Sequence, residues 1–194
     1  MAIRYQRERP GELVHLDVKK LGRIPDGGGH TLHGRADAKR GRGLGYDHVH
    51  SAIDDRSRVA CSQLLPDETG ETSARFLVEA AGCFADHGVR IERVLTDNAK
   101  AYTDSVLFTE TAAELSIRLK RTRPYRPQTN GKVERFNRTL LDEWASARLY
   151  RSNNERRRAL ARWLRFYNHR RPHTSLDGLT PMAILVNNAG GNHT

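Results

Sequence analysis

The stretch ELVHLDVKK, Glu12–Lys20, alternates along its length, with Val14, Leu16 and Val18 on one side and Leu13, His15 and Asp17 on the other. Side chains repeat with a period of two only in an extended chain, so this is a strand with a largely buried face. It also carries a carboxylate, Asp17, inside the strand rather than at its end.

Working outward, Gly22–Gly45 is glycine-rich, basic and aperiodic, which reads as a long flexible insertion rather than a linker between domains. YDHVHSAID (46–54) and VACSQLLP (59–66) are two more strand-like runs. Asp54-Asp55-Arg56-Ser57-Arg58 joins them as a hairpin. From Glu71 to His87, Ala74, Leu77, Ala81 and Phe84 recur at helical spacing, and Gly88 supplies a stop. IERVLTD (91–97) is a short apolar run ending in Asp97. Thr103–Leu115 reads as a second helix and SIRLKRT (116–122) as another strand. A helix after Gly131 buries Val133, Phe136, Leu140 and Trp144, and an arginine-rich one from Asn154 to His169 buries Leu160, Trp163, Leu164 and Tyr167. Trp144, Trp163, Phe166 and Tyr167 are read as core. Thr180-Pro181 caps and opens a short terminal helix. Three strands able to form a meander, followed by alternating helices and strands, predict an α/β fold with a mixed sheet.

The chain has 194 residues, enough for one well-buried domain and short for two. No stretch approaches the ~20 apolar residues of a membrane span. The N-terminus MAIRYQRERPGE lacks the apolar core of a signal peptide. Cys61 and Cys83 form no C-x-x-C pair, so neither a zinc knuckle nor a disulfide framework is indicated. A reduced, cytoplasmic protein is expected.

The net charge of +10 is clustered: Arg35, Lys39, Arg40 and Arg42; then Arg118, Lys120, Arg121, Arg123 and Arg126; then a long series from Arg151 to Arg171. Guanidinium forks match phosphate oxygens, and clustered arginine is the footprint of a polyanion. Nucleic acid is favoured over a membrane, because no segment joins this charge to an apolar face free to insert.

Among 23 acids, three stand apart by position. Asp17 lies within the first strand. Asp97 ends the fourth, at the carboxyl edge where open α/β sheets build their sites. Glu134 opens a helix, surrounded by Lys132, Arg135 and Arg138, and faces away from the Val133/Phe136/Leu140 stripe. If the first and fourth strands are neighbours, the three converge. Three close carboxylates repel unless a cation neutralises them, and oxygen-only ligation suits Mg²⁺ or Mn²⁺. His48 and His50 share a strand face, but with no cysteine or third ligand at a suitable spacing a polar strand face or DNA contact is the better reading.

HLDVKK, VLTDNAKAY and RPYRPQTNGKVERFNRTL, followed by WLRFYNHRRPHTSLDGLTP, closely resemble the integrase core of bacterial insertion-sequence transposases, of the retroviral-integrase superfamily. The resemblance runs from about Pro10 to Leu185. It implies a ribonuclease-H-like, mixed five-stranded sheet flanked by helices. Residues 10–150 would be the catalytic core, carrying the insertion 22–45. Residues 1–9 would be a tail, and 151–194 a C-terminal helical extension packed on the core. It further implies that Asp17, Asp97 and Glu134 bind two Mg²⁺ or Mn²⁺ ions and catalyse phosphodiester hydrolysis followed by 3′-hydroxyl strand transfer. Arg123, Arg126, Lys132, Arg135 and Arg138 would contact DNA, with Arg138 at a position that touches DNA ends in relatives. A homo-oligomer on DNA, associated with the bacterial nucleoid, is the expected working state.

Four departures stand out. Asp97 and Glu134 are separated by 36 residues (134 − 97 − 1), one more than the family usually has. Ala99 replaces a usual glycine, the long insertion divides the first two strands, and nothing before Pro10 is long enough for the helix-turn-helix of complete relatives. Two other readings use the same fold: a catalytically silent DNA-binding remnant of a transposase, favoured by Ala99, and a metal nuclease acting on RNA–DNA hybrids, which the arginine-rich C-terminal helix disfavours.

Overall fold

The computed structural model describes residues 7–29, 43–122 and 131–189. Its sheet is built from β1 (Val14–Gly22), β2 (Tyr46–Asp54), β3 (Ala60–Leu65), β4 (Arg93–Thr96) and β5 (Arg118–Arg121). The spatial order is β3-β2-β1-β4-β5. The β1–β2 and β2–β3 pairs are antiparallel, and the β1–β4 and β4–β5 pairs are parallel. A tight turn suffices between antiparallel neighbours, whereas parallel ones need a crossover. The crossovers are α1 (Gly70–Ala85) before β4, and α2 (Lys100–Thr103) with α3 (Val106–Glu114) before β5. Beyond the sheet lie α4 (Gly131–Leu140), which continues into a π-helical turn at Leu141–Ala145, then α5 (Asn153–His169) and α6 (Pro181–Ala189).

The period-two pattern sorts β1 and β2 onto two cores. Val14, Leu16 and Ala52 pack with Phe76, Leu77, Phe84 and Phe108 of α1 and α3. Leu21, Val49 and Ile53 pack on the opposite face with Phe136, Leu140, Trp144, Leu160, Trp163 and Tyr167. Phe166, expected in the core, is 45% exposed. It lies one residue out of phase with the buried Leu160/Trp163/Tyr167 stripe, so the helix turns it to solvent.

The helix expected over Thr103–Leu115 starts at Val106, because α2 ends at Thr103 and Asp104-Ser105 interrupt the chain. Ser105 is extended and its hydroxyl accepts from Phe108 N, which restarts the chain as α3. The same chemistry opens α1 at Thr69 and α5 at Ser152. The β1–β2 ladder runs unbroken from Val14↔Asp54 to Gly22↔Tyr46, and Arg23 N donates to Gly45 O just beyond it. Residues 30–42, with Arg35, Lys39, Arg40 and Arg42, lie outside the described residues. No helix among the described residues is long and apolar enough to cross a membrane.

A further expectation is corrected. Cys61 and Cys83 are joined in a disulfide with their Cα atoms 6.6 Å apart, linking β3 to α1 across 22 residues. The pairing is invisible to spacing, because only the packing of α1 on the sheet brings the two inward-facing thiols together. Closing a loop of this length restricts the unfolded chain, and its loss costs about 3 kcal/mol. Adding a reductant should therefore lower the melting temperature of the wild-type protein and leave that of Cys83→Ser unchanged.

Candidate active site

The structure brings the three singled-out acids to one edge of the sheet. β1 and β4 pair as Val14↔Val94 and His15↔Leu95, an offset of 80 (94 − 14). Carrying that offset forward sets Asp17 level with Asp97 (17 + 80), the residue immediately after β4. Asp97 Oδ1 accepts from Ala99 N at 3.0 Å, which shapes the turn into α2. Asn98 Nδ2 donates to Thr122 O at 3.2 Å and ties that turn to the end of β5. Ala99 itself has φ −63° and ψ 142°. This position needs no glycine, so the replacement carries no backbone strain.

Glu134 lies on a helix that Asn137 ties to Asp17. Val133, Phe136 and Leu140 bury the inner stripe of α4. Asn137, also buried, donates from Nδ2 to Asp17 Oδ2 at 2.6 Å. Residues three apart share a helix face, so Glu134 stands one turn from the Asp17 contact, exposed to solvent.

Burial raises the Asp17 carboxyl to about 6, and the charges of Asp97 and Glu134 push in the same direction against a hydrogen bond from the Val18 amide. Tyr102 lies beneath the cleft, and burial together with Asp17 and Asp97 drives its phenol far above the ordinary tyrosine range. Asp17, Asp97, Lys100 and Tyr102 line an open cleft of about 250 Å³ together with Glu68. The three acids thus share one electrostatic neighbourhood. Among the described residues, however, no three His, Cys, Asp or Glu side chains are gathered as a ready-made metal cage.

A buried polar cluster anchors the first turn of α4. Asp55 accepts from His15 Nε2 at 2.9 Å, from the Arg7 amide at 2.8 Å and from Lys132 Nζ. Burial alone would raise the Asp55 carboxyl; the bonds from His15, Lys132 and Arg7 prevail and hold it well below the usual carboxylate range. Next to it, Asp54 accepts from Gly11 N, Arg56 N, and both the amide and hydroxyl of Ser57, which closes the hairpin turn.

The five residues expected to contact DNA part company here. Arg123 and Arg126 lie outside the described residues. Lys132 is engaged with Asp55, while Arg135 and Arg138 are exposed on α4. His48 Nδ1 and His50 Nε2 bond to the carbonyls of Pro66 and Asp67, at 3.1 and 2.8 Å, so both rings secure the loop that carries Glu68. Glu68, Asp55 and Asn137 are site residues that sequence reasoning missed. Asn137 left one clue, in that it follows Glu134 by one helical turn.

Known proteins are similar to this chain in sequence and in fold. Two matches to families described as integrase core domain cover residues 7–127 and 115–181. The uncharacterized 31.7 kDa protein of insertion element IS407 from Burkholderia multivorans is 24% identical over 93% of this chain. The chain covers 63% of that protein and 43% of an insertion element IS476 protein from Xanthomonas euvesicatoria, so it spans about half the length of the curated relatives it matches. In fold, it is similar to a chain of the simian T-cell lymphotropic virus intasome in complex with PP2A regulatory subunit B56 gamma. That likeness has a TM-score of 0.69 at 21% identity, covering 93% of this chain and 56% of the other. It is similar also to the catalytic core domain of BIV integrase, with a TM-score of 0.60 at 19% identity, covering 92% and 96%. The sheet order and flanking helices are those of a ribonuclease-H-like fold.

Proposed function

The chain belongs to the integrase core domain family, and from that premise we propose that it is the catalytic core of an insertion-sequence transposase, a DNA polynucleotidyl transferase. The observation that carries this reading is geometric: the β1–β4 pairing sets Asp17 level with Asp97, and Asn137, one helical turn after Glu134, donates to Asp17, whose carboxyl burial and the other two acids raise. Folding tolerates such a cluster poorly unless another partner offsets the repulsion.

The donor set fits a hard divalent cation. All three groups are carboxylates, which suits Mg²⁺ or Mn²⁺ rather than a softer metal. Asp17, Asp97 and Glu134 are the residues that would hold two such ions. When bound, the ions would supply the positive charge that polarises the scissile phosphate and makes a water or hydroxyl nucleophilic near neutral pH. The protein's own share is positioning. Asn137 fixes the Asp17 rotamer, the Asp97 turn is bonded to its own backbone, and Lys132 with Asp55 holds the first turn of α4, on which Glu134 stands. Arg135 and Arg138 beside Glu134 would bind backbone phosphates, and Arg123 and Arg126 are assigned the same role. Water would open the phosphodiester at the element's end, and the freed 3′-hydroxyl would attack target DNA in line, without a covalent protein intermediate. On this reading residues 10–150 are the core and 151–194 its basic extension, and the working form is a multimer on DNA.

A gel assay of Mg²⁺-dependent nicking tests the proposal. No nicking over a range of Mg²⁺ and Mn²⁺ concentrations, with DNA binding intact, would leave a silent binding remnant. A second expectation follows from pH. Metal binding needs ionised Asp17, whose proton competes below about 6. Mn²⁺ affinity, followed by calorimetry, should weaken roughly tenfold per pH unit below that value and level off above it.

A further inference from the structure

A larger cavity, of about 580 Å³, opens on the other flank of α4, between that helix and the segment 171–175. Its wall presents Arg58, Lys132, Arg135 and Arg171, and among the described residues no carboxylate lines it. Asp55 and Glu143, which pair with Lys132 and Arg171, stand outside the lining. Asp54 also acts on Arg58 and Lys132, so counting three acids against the four cations leaves a formal local charge of +1 (4 − 3). His173 contributes none, since burial lowers its ring to about 4. Arg135 is exposed and has no carboxylate partner among the described residues.

The remaining wall combines the hydroxyls of Thr139, Thr174 and Ser175 with the apolar surfaces of Phe136, Tyr167 and Pro172. A bare anion would leave most of such a volume empty. Guanidiniums beside hydroxyls and an apolar floor match a group that is part phosphate and part flat or apolar.

We propose that this cavity seats one nucleotide unit of DNA, its phosphate against Arg135 and Arg58 and its sugar and base over the Pro172 side. The proposal rests on the transposase reading for the identity of the polyanion, and extends it to a subsite separate from the carboxylate cleft. Arg135 adjoins Glu134 in sequence, so a nucleotide held here would fix the path of the strand approaching the acids.

The test is metal-free binding of a labelled single strand and of the corresponding duplex, by fluorescence anisotropy across a salt series. Three variants are compared, each at an exposed position. Arg135→Gln should weaken binding about tenfold and reduce the log–log salt slope by about one. Ser175→Trp, which fills the cavity without changing charge, should weaken binding to a similar degree. Arg75→Gln on α1, outside the cavity lining, should have a much smaller effect than Arg135→Gln. Thymidine monophosphate should displace the strand from wild type and not from Ser175→Trp, whereas thymidine should not displace it at all. The proposal is overturned if Ser175→Trp binds like wild type, if Arg75→Gln matches Arg135→Gln, or if wild type fails to bind DNA. Nicking with Mg²⁺ is measured separately, so a protein that binds through the cavity but never cuts would refute the enzymatic reading and leave the subsite standing.

Discussion

Replacing Asp97 with Asn is expected to remove Mg²⁺-dependent cleavage and strand transfer, by roughly a thousandfold or more, while DNA binding and thermal stability stay near wild type. The two effects separate for a structural reason. Asn is isosteric with Asp, and its carbonyl oxygen can still accept from Ala99 N, so the turn into α2 survives. What it loses is the negative charge that, with Asp17 and Glu134, would draw divalent cations to the cleft. Gel assays of nicking and strand joining measure the loss, and anisotropy with a labelled duplex measures binding. Strand transfer retained by Asp97→Asn would remove this residue from the site.

The second large effect concerns stability. Asp55→Ala should cost about 3 kcal/mol, because it leaves His15 and Lys132 without the acceptor they share in a mostly water-excluded pocket. For a chain of this size that is a fall in melting temperature of roughly 6–12 °C. The pH dependence follows from the depressed Asp55 carboxyl. A lowered folded-state value contributes stability above the unfolded carboxylate range, and that contribution is lost as pH falls through the folded-state value. The gap between wild type and variant should thus stay constant from about pH 8 to 5 and begin to close only below about pH 4. A gap that closed already near pH 6 would assign the stabilisation to another group. A double-mutant cycle with Lys132→Met isolates the pair from the His15 and Arg7 bonds.

Much of the framework was legible from local pattern. Alternation in Glu12–Lys20, the strand-like run Tyr46–Asp54, helical spacing in Glu71–His87, and the Thr180-Pro181 cap before α6 are all short-range signals, and the elements lie where these place them. The four-residue helix α2 and the Ser105 cap that starts α3 were missed, because one turn is too short to show a helical period and the cap falls inside the expected helix. Asp55 and the Cys61–Cys83 link were not legible, and Asn137 left only its spacing from Glu134 as a clue. These three acquire their roles from partners far off in the chain: Asn137 from Asp17, Asp55 from Lys132, Cys83 from Cys61.

By itself, the sequence determined which segments are strands and helices, which faces they bury, and which acids and arginines are candidates for chemistry, because periodicity and residue type are local properties. Only the tertiary structure decided that β1 lies beside β4, so that Asp17 meets Asp97, and that α4 is tethered over them through Asn137 and Lys132. Burial and the electrostatic coupling of charges depend on distance in space, and no run of residues encodes that until the chain has folded.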